Sequence, residues 1–419
     1  MIPIIFAMRN CSVFRSKVRS ICSLSRLENV LKVETSSQFN TLHVGVLGLG
    51  AIGTIFFTKL GLLATNYKTK RELPQFTVDA FVRPQQLENW MKKGQFQLSL
   101  ERQQKKETLR FQMTSDERVA TVVGGSNVHI RTLQSAKIEP MNKLDVLLLT
   151  VKAYDSTEVI RELYKNNRHM LKNDALCVLL QNGPGEVPEI GDEDSKRVDT
   201  QKWHFANGVT YVGGRVVEFG TVLTSGLEGG MTYLAPFQNF KIKAFNDFYE
   251  YRLFQNKCNA SIEKLAQLFI AAGLRCKILE KTEMKGMLWR KLIINAAINP
   301  LASILNASNS SVAVNESCRQ CVYMVVHEAY AVAKSVNISL DCSQDELVDE
   351  IFDVARSTGS NVCSMLADLR HGSRTEIDAL NGHIVAKGER HGIPTPVNRM
   401  LVLQIKALET ERTRIVKEV

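Results

Sequence analysis

The run LWRKLIINAAINP, Leu288 to Pro300, is mostly apolar, yet it carries Lys291, Asn295 and Asn299. A helix advances about 100° per residue, so the three side chains fall within roughly 80° of arc and form one polar stripe. Lys291 supplies a cation or a proton, and the two amides both donate and accept hydrogen bonds. Buried without partners, such groups would cost on the order of several kcal/mol each, so something polar must face them. A second polar cluster, CSMLADLRHGSRTEIDALNG, offers Ser364 and Glu376 to face Lys291.

A binding signal for anions lies far upstream. From His43 the chain reads HVGVLGLGAIGTIFFTKLGLLA: a short apolar strand, a G-x-G-x-x-G turn, then a helical run. Gly48, Gly50 and Gly53 are its glycines, with Leu49, Ala51 and Ile52 between them. The first glycine permits the tight bend, the second lets a pyrophosphate approach the backbone, and the third lets helix pack on strand. The phosphates then sit on the positive end of the helix, so this turn implies a dinucleotide.

The next strand, FTVDAFVR, ends on Arg83, where NAD-selective folds usually offer a carboxylate to the ribose; Asp79 comes four residues too early. An arginine there suits a 2′-phosphate, which makes NADP(H) the expected cofactor; the alternative is an ordinary surface arginine. LDVLLLTVKAYD and DALCVLLQNGPG read as further parallel strands whose carboxyl ends border the same crevice. They place Lys152 and Asn182 beside it, although each taken alone reads equally well as a surface lysine and a turn asparagine.

The elements that must hold these residues divide the chain. HFANGVTYVGGRVVEFGTVLTSG and GGMTYLAP read as strands, and KCNASIEKLAQLFIAAGLRCKILE as a helix closed by Gly273 before a short strand. After Lys281 nearly everything is helix-periodic: the opening run, then Val314 to Val336, Gln344 to Ala355, Arg374 to His391 and Val397 to Arg414. The expected fold is α/β, with a Rossmann-like, mostly parallel sheet domain over 41–280 followed by an all-helical domain over 281–419. A cleft between them would let the polar stripe meet the nicotinamide. Pro236 to Asn256, rich in Phe, Tyr and Lys, has no readable role.

At 419 residues the chain has room for two domains and a tail, and its 44% hydrophobic and 23% charged residues suit a soluble globular protein. No uncharged apolar run of about 18 residues suggests a membrane span. Nine cysteines are scattered; Cys318 and Cys321 make the one C-x-x-C, inside an apolar-periodic helix with no second pair, so thiols rather than a metal site are expected. The formal charge is +10. Residues 1–40 hold six Lys/Arg and two Glu, four of those ten units, and the remaining basic residues are dispersed, so a nucleic-acid partner is not expected.

Those first forty residues contain Arg9, Arg15, Lys17, Arg19 and Arg26 before the first acidic residue, Glu28, with serines between and apolar residues at amphipathic spacing. That is the composition of a mitochondrial targeting leader, expected to be disordered and to direct the chain to the matrix; an extension without an address, and hence a cytoplasmic protein, is the alternative.

GLGAIG, LLTVKAYD, LQNGPG, LWRKLIINAAINPL and SMLADLRHGSRTEIDALNG, in that order, make the chain resemble the ketopantoate reductase (2-dehydropantoate 2-reductase) family from about Leu42 to the C-terminus. The resemblance implies NADPH-dependent reduction of ketopantoate to pantoate in pantothenate biosynthesis. Carried over by position, it makes Lys291 the catalytic lysine and Glu376 the active-site glutamate. Asn295, Asn299, Asn309 and Ser364 become substrate-binding residues, and Lys152 and Asn182 contact the cofactor or shape its site. The chemistry agrees: hydride transfer to a 2-oxo carbon leaves negative charge on the carbonyl oxygen, which needs a nearby cation or proton donor. Lys291 supplies it, and Glu376 is expected to hold the ammonium in place.

Gly191 to Lys202, the stretch around Pro236 to Asn256 and NGVTYVGG depart from the compact bacterial enzymes. They leave open a reductase of a different branched 2-oxo acid. A reductase-like mitochondrial protein that binds RNA without catalysis is a third reading, against which the complete Lys291, Asn295, Ser364, Glu376 set weighs. The apolar helices could bury a homodimer interface or only their own core.

Overall fold

The computed structural model describes residues 41–66, 75–92, 95–102, 105–114, 119–123, 125–134, 142–183, 203–218, 220–225, 227–237 and 248–418. The expected leader, the segment 191–202 and residues 238–247 of the unread stretch lie outside the described residues.

Strands β1 (Leu42–Leu47), β2 (Phe76–Val82), β6 (Val128–Thr132), β7 (Leu144–Leu149), β8 (Leu171–Leu179) and β9 (His204–Thr210) form a parallel centre in the order β6-β2-β1-β7-β8-β9. Their near-continuous apolar runs follow from burial on both faces; β1, for example, is buried from His43 to Leu47. Strands β12 (Met231–Pro236) and β13 (Arg275–Ile278) extend one side. β3 (Gln95–Arg102), β4 (Lys105–Met113) and β5 (Val119–Val122), with β10 (Gly213–Glu218) and β11 (Thr221–Ser225), extend the other.

The motif helix α1 (Ala51–Thr65) explains why the sheet is so wide. Its run AIGTIFFTKLGLLAT is apolar on all sides, so one sheet face cannot cover it. Strands β3, β4, β10 and β11 all pack on it in addition to β1 and β2. β3 and β4, which the sequence pattern alone does not announce, supply much of that cover. The other helices of this half are α2 (Pro84–Met91), α3 (Ala153–Asn166) and α4 (Phe248–Ala271). The last residues of the unread stretch, from Phe248, therefore begin α4.

From Lys281 onward the described chain is helical: α5 (Lys281–Ile304), α6 (Ser310–Val314), α7 (Glu316–Ser335), α8 (Gln344–Ser357), α9 (Ser364–Arg370), α10 (Asn381–His391) and α11 (Pro396–Glu418). A reciprocal capping box between Glu280 and Glu283 starts α5. Leu292, Ile293, Ala296 and Ala297 then bury its opposite face among Val322, Val325, Val326 and Ala329 of α7 and Ile351 and Phe352 of α8. Asn381 donates to the Ala296 carbonyl at 3.0 Å and to Asn398 at 3.0 Å. Glu328 accepts the Val397 and Asn398 N–H groups at 2.8 and 2.9 Å, capping α11 from within the core.

One expected helix is broken. Arg374 to His391 reads as continuous from its periodicity, but a 3-10 turn at Ile377–Ala379 precedes α10. Thr375 N–H is held by Glu409 at 2.6 Å and the Ile377 N–H by the Thr375 hydroxyl at 3.2 Å, so side chains claim the donors a helix would use. The break leaves Glu376 on the turn rather than on a helical face. Among the described residues no helix is long and apolar enough to cross a membrane, and no group of three or more His, Cys, Asp or Glu is arranged to hold a metal. Cys318 and Cys321 are free thiols packed into or against the helical core.

Candidate active site

The glycine turn follows from its packing. Gly48 has φ +98°, which a residue with a Cβ rarely adopts, and the Thr150 hydroxyl donates to its carbonyl at 2.7 Å. A Cβ on Gly53 would lie 1.9 Å from the Gly48 carbonyl oxygen and 2.5 Å from Thr150 Oγ1. A Cβ on Gly50 would meet nothing within 4 Å, because Gly50 faces open space. It caps α1 without a side-chain acceptor, and no acidic residue stands in the first turn. The first N–H groups of α1 are thus unclaimed by side chains and suited to an anion.

That turn opens onto a cavity of about 1550 Å³. Gly48, Leu49, Gly50, Ala51, Ile52, Arg83, Lys152 and Asn182 line its sheet side, and Lys291, Asn295, Asn299, Asn309, Ser364 and Glu376 its helical side. Of the candidate catalytic, substrate and cofactor residues, Gly53 alone is absent from the lining, since it lies buried beneath the turn. The volume, the open face at Gly50 and the free helix N-terminus fit a dinucleotide together with a small acid.

Lys291 sits in the wall of this cavity, its ammonium donating to the Thr210 carbonyl at 2.7 Å and lying 5.7 Å from the centre of the Tyr211 ring. Burial pushes its pKa down to about 8, partly opposed by the negative charge of Glu376. At neutral pH such a group is still mostly protonated but gives up its proton far more readily than an exposed lysine.

Glu376 does not hold that ammonium by direct contact, contrary to expectation. Its buried carboxylate instead accepts the Asn182 amide at 2.9 Å and the Ala153 backbone N–H at 3.1 Å, and Lys152 Nζ lies 4.0 Å away. The cause is the turn at Ile377–Ala379, which directs Glu376 at the start of α3 rather than along α5. Lys152 in turn pairs with Asp368 of α9 at 2.6 Å. The carboxylates raise the Lys152 pKa, although burial alone would lower it, and burial raises that of Asp368. Lys152 and Asn182 therefore join the sheet half to the helical half through two carboxylates.

Arg83 is largely exposed at the end of β2, 3.5 Å from Asp155 of α3. Asn309 donates to the Thr358 hydroxyl at 2.9 Å, while its buried Oδ1 has no hydrogen-bond partner among the described residues. Several lining residues were not singled out in the sequence: Thr210, Tyr211, Asp155, Arg102 and Arg215, with Asp368 just behind. Asp368 lies four residues after Ser364 in SMLADLR, a spacing that sets both on one helix face and was a readable signal. Thr210 acts through its main chain, which no side-chain pattern reveals.

Residues 44–239 match the family described as Ketopantoate reductase PanE/ApbA, and residues 283–409 its C-terminal part. The 2-dehydropantoate 2-reductase of Archaeoglobus fulgidus is 29% identical over 266 residues, 64% of this chain and 77% of that one. That of Listeria innocua is 24% identical over 373 residues, 89% and 99% of the two chains. Among solved structures, a PanE/ApbA family ketopantoate reductase from Ralstonia eutropha has the same fold, with TM-score 0.62, 24% identity and coverage of 88% of this chain and 99% of its own. Two family matches that together span both halves of the chain, over a fold shared with a solved member, show that this protein belongs to the ketopantoate reductase family of oxidoreductases.

Proposed function

We propose that the chain reduces 2-dehydropantoate (ketopantoate) to pantoate with NADPH, as a step of pantothenate and coenzyme A biosynthesis. The observation that carries this reading is the Lys291 ammonium, held in the wall of the same cavity that the glycine turn opens onto. When bound, the nicotinamide supplies a hydride to the 2-oxo carbon. Lys291 then gives its proton to the carbonyl oxygen as charge develops there, and the product leaves as the 2-hydroxy acid. Asn295, Asn299, Asn309 and Ser364 offer amides and a hydroxyl to the substrate's carboxylate and hydroxyl. Arg83 at the rim supports a preference for NADPH over NADH, since a guanidinium pairs with a 2′-phosphate. Asp155 beside it would be displaced or shared. The composition of residues 1–40 supports delivery to mitochondria.

The test is the purified full chain with NADPH or NADH and a panel of 2-oxo acids, followed by loss of nicotinamide absorbance. Turnover highest with ketopantoate and NADPH supports the reading. Faster turnover of another branched acid, or a clear preference for NADH, overturns the substrate or the cofactor part respectively. Fusion of residues 1–40 to a fluorescent reporter tests the address; diffuse signal counts against it.

A further inference from the structure

The contacts of Lys291 lie on two successive residues, Thr210 and Tyr211, at the end of β9, outside the residues that the family resemblance assigned. Their backbone is pinned from three directions. The Thr210 hydroxyl pairs with that of Thr232 at 3.0 Å and accepts the Val212 N–H at 3.1 Å, and the Tyr211 N–H donates to the Met231 carbonyl at 2.9 Å. This fixes where the Thr210 carbonyl points and where the Tyr211 ring starts. The ring meets Tyr233 of β12 edge-on, with centroids 6.2 Å apart, which leaves one face for the ammonium. A carbonyl dipole and an aromatic face are both negative toward the cation, and neither transfers a proton to it.

We propose that Thr210 and Tyr211 form a cradle that fixes the Lys291 ammonium in the cleft, so that Tyr211 is a positioning residue of the site. The proposal rests on the reading of Lys291 as the proton donor. It also accounts for the absence of direct contact between Lys291 and Glu376: the cradle takes over the orienting role and leaves Glu376 to join the two halves. The charged surroundings are few. Glu376 is the ionisable group that acts on Lys291 from across the cleft, while burial, with Glu350 and Tyr233, pushes the Tyr211 pKa up to about 12 against the opposing charge of Arg290. Tyr211 therefore stays neutral over the working range and acts through its ring.

Removing the ring lets water reach the ammonium. Burial dominates the depression of the Lys291 pKa, and its relief outweighs the loss of the ring's attraction for the cation, so that pKa moves upward from about 8. The test compares Tyr211→Ala, Tyr211→Leu and Tyr211→Phe with the unaltered full chain. One readout is the pH dependence of Lys291 acylation by an amine reagent, followed by peptide mass spectrometry, which needs neither substrate nor cofactor. The other is kcat as a function of pH with NADPH and ketopantoate.

Tyr211→Ala is expected to shift the Lys291 titration upward and to lower kcat roughly 10-fold, with the KM for NADPH unchanged. Tyr211→Leu, which keeps apolar bulk without an aromatic face, is expected to retain the low titration yet lose rate. Tyr211→Phe should match the unaltered chain in both readouts. An unmoved Lys291 titration in a folded Tyr211→Ala chain overturns the cradle, as does a Tyr211→Phe variant as impaired as Tyr211→Ala. If Tyr211→Ala does not fold, full activity in Tyr211→Leu overturns it. If the acylation shift appears while the unaltered chain reduces no 2-oxo acid, the cradle stands and the proposed reaction fails.

Discussion

The carboxylate of Glu376 accepts the Asn182 amide at 2.9 Å, joining a turn of the helical half to the carboxyl end of β8 in the sheet half. The same carboxylate holds the Ala153 N–H at the start of α3, and Lys152 next to it pairs with Asp368. One small seam thus brings the polar stripe of α5 and the glycine turn to a common cavity.

Truncation of Glu376 to Ala leaves the Asn182 amide and the Ala153 N–H without this acceptor. The loss is expected to be about 2 kcal/mol of stability. Turnover should fall as well, because Lys291 and the cofactor crevice are no longer held in register. Denaturant unfolding and steady-state kinetics on the same preparation check both effects; a stable variant with normal turnover would show that the seam is held elsewhere.

The glycines of the turn separate structure from binding. Gly53→Ala forces a methyl against the Gly48 carbonyl and is expected to destabilise the fold by about 3 kcal/mol or more. Gly50→Ala meets open space in the protein, so its melting temperature should be nearly unchanged while the affinity for NADPH drops roughly 10-fold, the methyl standing where the pyrophosphate approaches. Thermal melts and cofactor titration distinguish the two. A Gly50→Ala chain that binds NADPH normally would place the phosphates elsewhere.

His204 predicts how the fold responds to acid. It is fully buried in β9 against Phe254, neither ring nitrogen has a hydrogen-bond partner among the described residues, and burial pushes its pKa down to about 4. The unfolded chain takes up this proton near pH 6.5, whereas the native one resists until about pH 4. Stability from this group is therefore intact above pH 6.5 and is lost as pH falls through that window, by about 3 kcal/mol in all. Unfolding free energies measured at several pH values should show this loss, and His204→Leu should flatten the curve. A curve unchanged by the substitution would assign the acid sensitivity to other groups.

What the sequence made legible follows from which signals are local. The glycine turn, the parallel centre and the α5 stripe are each written in one continuous segment, where periodicity and spacing report directly on burial. The strands β3 and β4 escape the periodicity because KKETLRFQM is polar on one face and makes sense only as cover for α1, whereas β5 and β6 are runs of four and five residues, too short to signal by themselves. The break before α10 depends on Glu409, more than thirty residues downstream, taking the Thr375 N–H. Of the candidate site, the chosen side chains do line one cavity, but their partners were less readable: Glu376 turned toward Asn182, and Lys291 toward a main-chain oxygen.

In the proposed reaction Lys291 delivers the proton that completes reduction. Lys291→Ala should be measured for turnover with NADPH and ketopantoate and, in parallel, for NADPH binding by fluorescence. The expected result is a rate lower by roughly 1000-fold with cofactor affinity preserved. Near-normal turnover in a chain that still binds NADPH would assign the proton to another donor.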